Sequence, residues 1–189
     1  FILASFTAHI RIEFLLSDKD IPAVNKLPHI TAFFWVMKIC ATTLGETAGD
    51  LLSMTLNVGY AVSSLILISI FAISLIVQMV QKHHNPLLYW TVILTTSTAG
   101  TTMSDYMDRT LDLGYAKGSL LLVSLLVSTL LIWKWRLGDI SVTKINSSKA
   151  ELFYWTAILF SNTLGTALGD FLADDSGLGF AGGALVVGA

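Results

Sequence analysis

Two acidic side chains lie inside one of the most apolar parts of the sequence. Glu46 and Asp50 occur in TTLGETAGD, which follows ITAFFWVMKICA and precedes LLSMTLNVGYAVSS. A charged group in a membrane-spanning helix costs roughly 3 kcal/mol, and acids that are kept there commonly mark ion or proton paths. Lys38 lies eight residues before Glu46, which is too far along one helix for a direct bond. Its partner must therefore come from another helix or from water, and the chemistry expected here is the binding or conduction of a cation.

The composition is that of a membrane protein. Of the 189 residues, 54% are hydrophobic and 13% are charged, and the mean hydropathy is +0.72, whereas a soluble domain carries about a quarter charged residues. The net charge of -2 gives no basic patch for a nucleic acid, and the single cysteine, Cys40, excludes an internal disulfide or a cysteine-cluster metal site. We therefore expect an all-α polytopic membrane protein whose main partner is the lipid bilayer.

Six apolar segments are candidates for membrane spans, because about 20 mostly apolar residues cross the hydrocarbon core. They cover residues 29–54, 59–81, 86–110, 114–136, 147–173 and 177–189, and the last is too short to cross. Residues 1–24 are expected to be an N-terminal extension, which is either a surface helix or upstream sequence outside the native protein, with Val24 as a non-AUG start. The remaining chain divides into repeat 1 (25–84), repeat 2 (85–146) and a truncated repeat 3 (147–189).

An internal repeat defines this division. The stretches are WVMKICATTLGETAGDLLSMTLNVGYA, WTVILTTSTAGTTMSDYMDRTLDLGYA and WTAILFSNTLGTALGDFLADDSGLGFA, with offsets of 55 and 65 residues. Tryptophans, glycines and aspartates coincide in all three: Trp35, Trp90 and Trp155; Gly45, Gly100 and Gly165; Asp50, Asp105 and Asp170; Gly59, Gly114 and Gly179. Each unit is predicted to be a helical hairpin, with the last glycine opening its second helix.

The stretches KICATTLGETAGD, SSKAELFYW and NTLGTALGDFLAD resemble a family of bacterial inner-membrane proteins. Its members are built from four tandem two-helix repeats, each with a characteristic tryptophan, and are classed as a repeat of unknown function. The resemblance covers about residues 25–189. It implies a location in the bacterial inner membrane and a fourth repeat that this sequence lacks, so a site completed by that repeat is absent from this chain. It implies no activity.

The basic residues predict the orientation, because cytoplasmic loops carry an excess of lysine and arginine. The unit junctions and the N-terminal side hold Lys19, Lys26, Lys82, Lys134, Arg136, Lys144 and Lys149, whereas the other side holds Asp105, Asp108, Asp112, Asp170, Asp174 and Asp175, with Arg109 as the one basic residue among them. We expect the N-terminus and the junctions around His84 and Asn146 to be cytoplasmic. Asp112 and Asp175 should lie outside.

Polar residues recur at intervals of four along the first helix of each unit, which places them on one helical stripe. The stripes are Thr42, Glu46 and Asp50; Ser97, Thr101 and Asp105; and Asn162, Thr166 and Asp170. The stretches SSLILISIFAISLIVQMV and SLLLVSLLVSTLLIW of the second helices carry no ionisable group, so these helices suit an outer, lipid-facing layer. The first, third and fifth helices should therefore be inner and the even helices outer. The expected ion path comprises Lys38, Thr42, Glu46, Asp50, Thr101, Asp105, Asn162, Thr166 and Asp170.

Small residues lie beside each stripe and should allow close helix approach. The pairs are Gly45 with Gly49, Gly100 with Ser104, and Gly165 with Gly169. Packing is the expected role of all three pairs, and Gly165→Leu should lower stability, whereas Ile68→Leu on a second helix should be nearly silent.

Three classes of function are compatible with these features. The first is a transporter or channel, the second a membrane-embedded enzyme and the third a scaffold or sensor subunit in which Lys38 and Glu46 specify helix packing. The sequence contains no nucleophile elbow, no His-Glu metal motif and no phosphate loop, which argues against an enzyme and gives no cofactor. We favour the hypothesis of a transporter or channel, with the scaffold or sensor subunit as the alternative.

The donor atoms on the stripes favour a hard cation. Carboxylate, hydroxyl and amide oxygens suit Mn²⁺, Mg²⁺, Ca²⁺ or a proton better than Zn²⁺ or Cu⁺. The candidate metal ligands are Glu46, Asp50, Asp105 and Asp170. Lys38, deeper on the path, would repel a second cation or exchange a proton, because a buried lysine loses its charge readily.

Overall fold

The computed structural model describes residues 28, 30–81, 83, 85–140, 145 and 147–188, and its regular elements in these ranges are all helical. The α-helices are α1 (Ala32–Asp50), α2 (Tyr60–Val80), α3 (Pro86–Asp105), α4 (Tyr115–Leu137), α5 (Ser148–Asp170) and α6 (Gly179–Gly188); the π-helices are π1 (Leu51–Thr55), π2 (Tyr106–Thr110) and π3 (Phe171–Asp175). The predicted all-α fold is confirmed. The extension at 1–24 and the junction positions His84 and Asn146 lie outside the described residues.

The first helix of every unit begins with a side-chain cap. Thr31, Asn85 and Ser147 each accept a hydrogen bond from the backbone N–H three residues later, at 3.2, 3.3 and 3.2 Å. Such caps satisfy one of the N–H groups that a helix start leaves without a partner. Pro86 follows Asn85 at the first helical position, where its fixed φ and missing N–H carry no cost. These local signals determine where α1, α3 and α5 begin.

The turn between the two helices of a unit has the same backbone in every repeat. Its aligned positions have positive φ angles: 55° at Asn57, 56° at Asp112 and 77° at Gly177, then 83° at Gly59, 73° at Gly114 and 65° at Gly179. Asparagine, aspartate and glycine are the residues that adopt this left-handed conformation most readily. Gly59 and Gly114 precede α2 and α4, and Gly179 begins α6. The predicted role of these glycines at the start of the return helix is therefore confirmed.

In each unit, a short π-helix follows the aspartate that all three units share, namely Asp50, Asp105 or Asp170. The backbone N–H of residue i+5 donates a hydrogen bond to the backbone oxygen of residue i, and the N···O distance is 2.8 Å in π1 and 2.9 Å in both π2 and π3. π-Helical turns are rare and frequently occur at functional sites. The three occurrences at one repeat position make the widened turn a property of the unit.

Helix α3 lies at the centre of the packing. It contacts α1 and α5, and α2 packs against it as well, while α4 packs against α5. The second helix of a unit therefore packs on the first helix of the next unit, and the predicted hairpin within a unit is open. The hydroxyl of Ser64 on α2 donates to the backbone oxygen of Thr102 on α3 at 2.8 Å, which joins unit one to unit two.

Aromatic residues near the start of α3 and α5 belong to the hydrophobic core. The rings of Tyr89 and Trp155 lie 5.6 Å apart, and the hydroxyls of Tyr89 and Tyr154 are 3.3 Å apart. The aligned tryptophans differ in burial, because Trp155 is 0% exposed and Trp35 is 58% exposed. Helix α5 packs against both α3 and α4, whereas α1 packs mainly against α3. Equivalent positions in the repeat therefore do not have equivalent surroundings.

Among the described helices, two are long and apolar enough to cross a membrane. These are α2 and α4, with mean hydropathies of 2.5 and 1.8. Much of their surface is exposed and apolar, as at Leu65, Ile73, Leu120 and Leu131. Helices α1, α3 and α5 do not pass the same hydropathy test. Lys38 and Glu46 lower the mean hydropathy of α1, and polar and small residues, mainly serine, threonine and glycine, lower that of α3 and α5.

Candidate functional site: an acidic cluster at the ends of the first helices

The repeat places one aspartate at the last position of each first helix. Asp50 ends α1, Asp105 ends α3 and Asp170 ends α5, and each is followed directly by a π-helix. Because α3 packs between α1 and α5, the three carboxylates converge, and Asp105 interacts electrostatically with both of the others. The prediction that the three stripes meet therefore has a structural counterpart at this end of the helices.

Arg109 on π2 binds two of these aspartates. Its Nε lies 3.0 Å from Oδ1 of Asp105, and its Nη2 lies 3.4 Å from Oδ2 of Asp170. The Asp105 side chain is 4% exposed and that of Arg109 is 37% exposed. The first contact is an i,i+4 pair, a spacing that brings side chains together on one helical face. The second contact joins unit two to unit three.

Two aromatic rings flank the guanidinium. Its carbon lies 6.0 Å from the ring centre of Tyr60 and 5.8 Å from that of Tyr115. These tyrosines are the first residues of α2 and α4, so the glycine turns that start the second helices also bring the rings to the cluster. Contact of a guanidinium with the face of an aromatic ring is favourable at such distances, although weakly so near 6 Å.

Asp108 is a further acid of the cluster, and it is 5% exposed. Ser104 donates to its Oδ2 at 3.3 Å, while its Oδ1 has no hydrogen-bond partner within the described residues. The carboxylate fits because the facing residue is Gly118, where an added Cβ would clash with Oδ1. The aligned residues of unit one are Ser53 and Ser63, both buried. The larger acid of unit two is thus accommodated by a smaller residue opposite it.

Glu46 lies one turn before Asp50 on an exposed part of α1. It interacts electrostatically with Asp50 on its own helix and with Asp170 on α5. We call Glu46, Asp50, Asp105, Asp108 and Asp170 the acidic cluster. Within the described residues this cluster contains five carboxylates, and Arg109 is the guanidinium bound to it. The cluster therefore has an excess of negative charge.

Hydroxyl groups connect the stripes further along the helices. Ser97 donates to the backbone oxygen of Thr42 at 3.2 Å and so joins α3 to α1. The hydroxyls of Thr101 and Thr166 lie 3.3 Å apart and join α3 to α5. Nδ2 of Asn162 is buried and has no hydrogen-bond partner in the described part of the chain. The middle stripe is therefore enclosed, whereas the stripes on α1 and α5 are partly open.

Lys38 is enclosed at its charged end. Its Nζ is buried, and no hydrogen-bond partner for it is found among the described residues. Thr42 donates its hydroxyl hydrogen to the backbone oxygen of Lys38 at 2.9 Å. The partner expected from another helix is therefore not supplied by the helices that the structure describes.

The glycines of the first two units lie at helix contacts. A Cβ at Gly45 would lie 2.7 Å from Cβ of Ser97, and one at Gly100 would lie 3.0 Å from the backbone nitrogen of Thr163. Gly49 is similarly close to Thr102, at 3.3 Å, and Ser104 is buried beside Asp108. An added Cβ at Gly165 or Gly169 would meet no atom within 4 Å. The expected crowding at Gly165 is therefore not found, because no described helix covers that face.

The four candidate metal ligands do not form a ligand shell. Within the described residues, no group of three or more histidine, cysteine, aspartate or glutamate side chains is placed to hold a metal ion. Of Glu46, Asp50, Asp105 and Asp170, the last two are bound to Arg109 instead. The ionic partner of these two carboxylates is therefore a side chain of the protein.

Sequence reasoning placed Arg109 and Asp108 only on the acidic side and did not assign them to the site. A signal for Arg109 was present, because the four-residue spacing of Ser97, Thr101 and Asp105 continues to Arg109. The signal for Asp108 was the replacement of a Ser–Ser pair by an Asp–Gly pair at aligned positions. Tyr60 and Tyr115 follow the turn glycines directly, but nothing in their spacing indicates contact with an arginine.

A family model, Repeat of Unknown Function (DUF347), matches residues 33–84, 88–138 and 153–189. The chain belongs to this family. The three matches coincide with the three structural units of this DUF347 protein, each an α-helix, a π-helix and a second helix. No curated protein and no solved structure matches the chain.

Proposed function

We propose that this protein is a multi-pass membrane transporter or channel for a small hard cation, either a divalent metal ion or a cation coupled to protons. The observation that carries this proposal is that Asp50, Asp105 and Asp170 end three helices that pack side by side, with Arg109 bound to the last two. A repeat that serves packing alone does not require an acid at the same position in every unit, because a carboxylate in an apolar setting is costly.

The exposed apolar surface supports a location in a membrane. Helices α2 and α4 meet the length and hydropathy required for crossing, and their outer faces carry large aliphatic side chains that water would solvate poorly. The three polar stripes lie on α1, α3 and α5, and α3 contacts both of the other two helices. In the proposed arrangement these three helices also cross the membrane as the inner layer, while α2 and α4 face the lipid of a bacterial inner membrane.

The charge of the acidic cluster supports a cation as the substrate. One guanidinium compensates part of the charge of five carboxylates, and Oδ1 of Asp108 has no donor within the described residues. Such groups require further protons or cations for neutrality when water is scarce. Carboxylate and hydroxyl oxygens are the donors that Mg²⁺, Mn²⁺ and Ca²⁺ prefer. The hydroxyls of Thr101 and Thr166 continue this set of oxygen donors along the helices.

Cation flux into proteoliposomes tests the proposal. The full-length protein should carry Mn²⁺, and the isosteric changes Glu46→Gln and Asp50→Asn should abolish this flux, because they remove charge while keeping side-chain shape. Ile68→Leu on α2 is the control for reconstitution and should transport at the wild-type rate. If both acid variants fold and transport at wild-type rates, the acids are not part of a cation path.

Sided labelling tests the proposed orientation. In a Cys40→Ser background, single cysteines at His84 and Asp112 should react with an impermeant reagent from opposite sides of the membrane. The expected cytoplasmic side is that of His84, since the basic residues lie at the unit junctions. Labelling of both cysteines from one side would contradict a membrane crossing between them.

One observation favours a second function, that of a non-transporting scaffold or sensor subunit. Arg109 joins α3 to α5 through Asp105 and Asp170, and ion pairs between helices can specify their arrangement. Under this alternative, neutralising Asp50 leaves the protein unchanged, while neutralising Asp105 or Asp170 lowers its stability. The flux measurement separates the two functions, because a scaffold gives no protein-dependent Mn²⁺ uptake.

A further inference from the structure

Arg109 occupies the space between carboxylates of two different units. It contacts Asp105 with one nitrogen and Asp170 with another, at 3.0 and 3.4 Å. A guanidinium presents several donors in a fixed plane and can bind two carboxylates at once. It therefore stands where a free cation would have to stand in order to interact with both acids.

The repeat contains an aligned helix contact that forms without this arginine. The residues aligned with Arg109 are Met54 in unit one and Asp174 in unit three, whereas the aspartate of the cluster is present in all three units. The contact of α1 with α3 places Gly45 against Ser97, and that of α3 with α5 places Gly100 against Asn162, which is the aligned residue. The first of these contacts forms with Met54 in the place of an arginine.

The contacts of the Arg109 side chain are weak enough for another cation to displace it from the two carboxylates. Its side chain is 37% exposed, and the contact with Asp170 is long for a charge-assisted hydrogen bond. The rings of Tyr60 and Tyr115 lie near 6 Å, where contact with a cation is weak. Asp105, in contrast, is nearly completely buried. The acid is fixed, and the cation beside it is held by modest interactions.

We propose that Arg109 is a tethered cation that competes with the transported ion for Asp105 and Asp170. It occupies these carboxylates when the substrate is absent and is displaced when a small divalent cation binds. Arg109 thereby sets the apparent affinity of the site, and it prevents the buried acid from remaining without a counter-ion. This inference rests on the proposed cation transport, but the competition itself is a property of binding.

Equilibrium binding of Mn²⁺ to the purified full-length protein in detergent tests the competition. Arg109→Gln should raise the apparent affinity roughly fivefold, since a partly exposed ion pair contributes up to about 1 kcal/mol. Arg136→Gln is the matched control: it removes the same charge from an exposed arginine that lies over Trp135 at 5.1 Å, and it should leave the affinity unchanged. Adding Asp105→Asn to Arg109→Gln should remove the gain.

Arg109→Lys keeps the positive charge and provides a second test in case Arg109→Gln does not fold. An ammonium is a point charge that cannot bridge two carboxylates as a planar guanidinium does, so its Mn²⁺ affinity should lie between those of the wild type and Arg109→Gln. Unchanged affinity in both folded variants would overturn the inference, as would an equal gain in Arg136→Gln.

Flux separates a failure of this inference from a failure of the proposed function. If Mn²⁺ uptake requires Glu46 and Asp50 but the affinity is the same in Arg109→Gln, transport stands and the competition is wrong. If Arg109→Gln binds Mn²⁺ more tightly through Asp105 while no variant transports it, the competition stands and transport is wrong. If neither the wild type nor Arg109→Gln binds Mn²⁺, the competition is wrong.

Discussion

The middle of the first helices and their acidic ends differ in how closely the three units resemble one another, although both belong to the same repeat. In the middle, the contact of α1 with α3 closely resembles that of α3 with α5: Gly45 lies against Ser97, and Gly100 lies against the aligned Asn162. At the ends, the charged residue that all three units share is the aspartate, while Arg109 aligns with Met54 and Asp174.

This difference separates packing from chemistry. Close helix approach depends on the absence of a side chain, so a glycine at the same register serves every unit in the same way. A charged site depends on what three units bring to one point, so one arginine in unit two is enough for the acids of two units. The residues that all units share therefore determine the helix packing, and the residues that differ between units provide the distinctive charges.

The largest predicted effect comes from breaking the repeated contact in the middle. Gly100→Leu should lower the free energy of unfolding by about 3 kcal/mol, because its Cβ would lie 3.0 Å from the backbone nitrogen of Thr163, which cannot move aside alone. Denaturant titration in detergent micelles measures this loss. Gly165→Leu is the matched control at the aligned position and should cost less than about 0.5 kcal/mol. Equal losses at both positions would contradict the packing described here.

A second prediction concerns the Asp108 and Gly118 pair, where unit two departs from unit one. Gly118→Ser should destabilise the protein by about 2 kcal/mol, because a Cβ there would clash with Oδ1 of Asp108. Adding Asp108→Ser should recover most of the loss, since the pair then matches Ser53 and Ser63 of unit one. A double-mutant cycle measures the coupling, and additive effects of the two changes would show that the residues do not compensate each other.

A smaller effect is expected for a single hydrogen bond between units. Ser64→Ala removes the 2.8 Å bond to the backbone oxygen of Thr102 and should cost about 1 kcal/mol in the same titration. Ser69→Ala is its control on α2, because that exposed hydroxyl bonds to the oxygen of Leu65 in its own helix. Equal stability of the two variants would indicate that the contact between α2 and α3 does not depend on this bond.

The sequence allowed the local features of the fold to be predicted. The repeat, the helices and the turn glycines are encoded by residues close together in the chain, because capping and positive φ angles depend on individual side chains. The π-helices were not predicted, since one widened turn changes the hydrogen bonding without changing the spacing of Asp50, Asp105 and Asp170 from the turn. The packing of each second helix on the next unit also has no local signal.

The acidic residues of the site could be predicted from the sequence, but the contacts between them could not. Spacing by four residues identified Asp50, Asp105 and Asp170, and continuing it by one step would have added Arg109. The contact of Arg109 with Asp170 spans 61 residues, and only the packing of α3 against α5 brings them together. The open face at Gly165 was missed for the same reason, because a small residue in a repeat does not reveal whether a neighbour is present.

Mn²⁺ uptake by three repeat-equivalent variants is the most direct test of the account. Asp50→Asn, Asp105→Asn and Asp170→Asn should each abolish uptake by the full-length protein in proteoliposomes, because each removes one of the converging carboxylates. Asp112→Asn is the matched control: it removes an exposed acid at a turn position with a φ of 56°, which asparagine also adopts, and it should transport at the wild-type rate. Uptake that is the same in all four folded variants would contradict the claim that the repeated aspartates form a cation path.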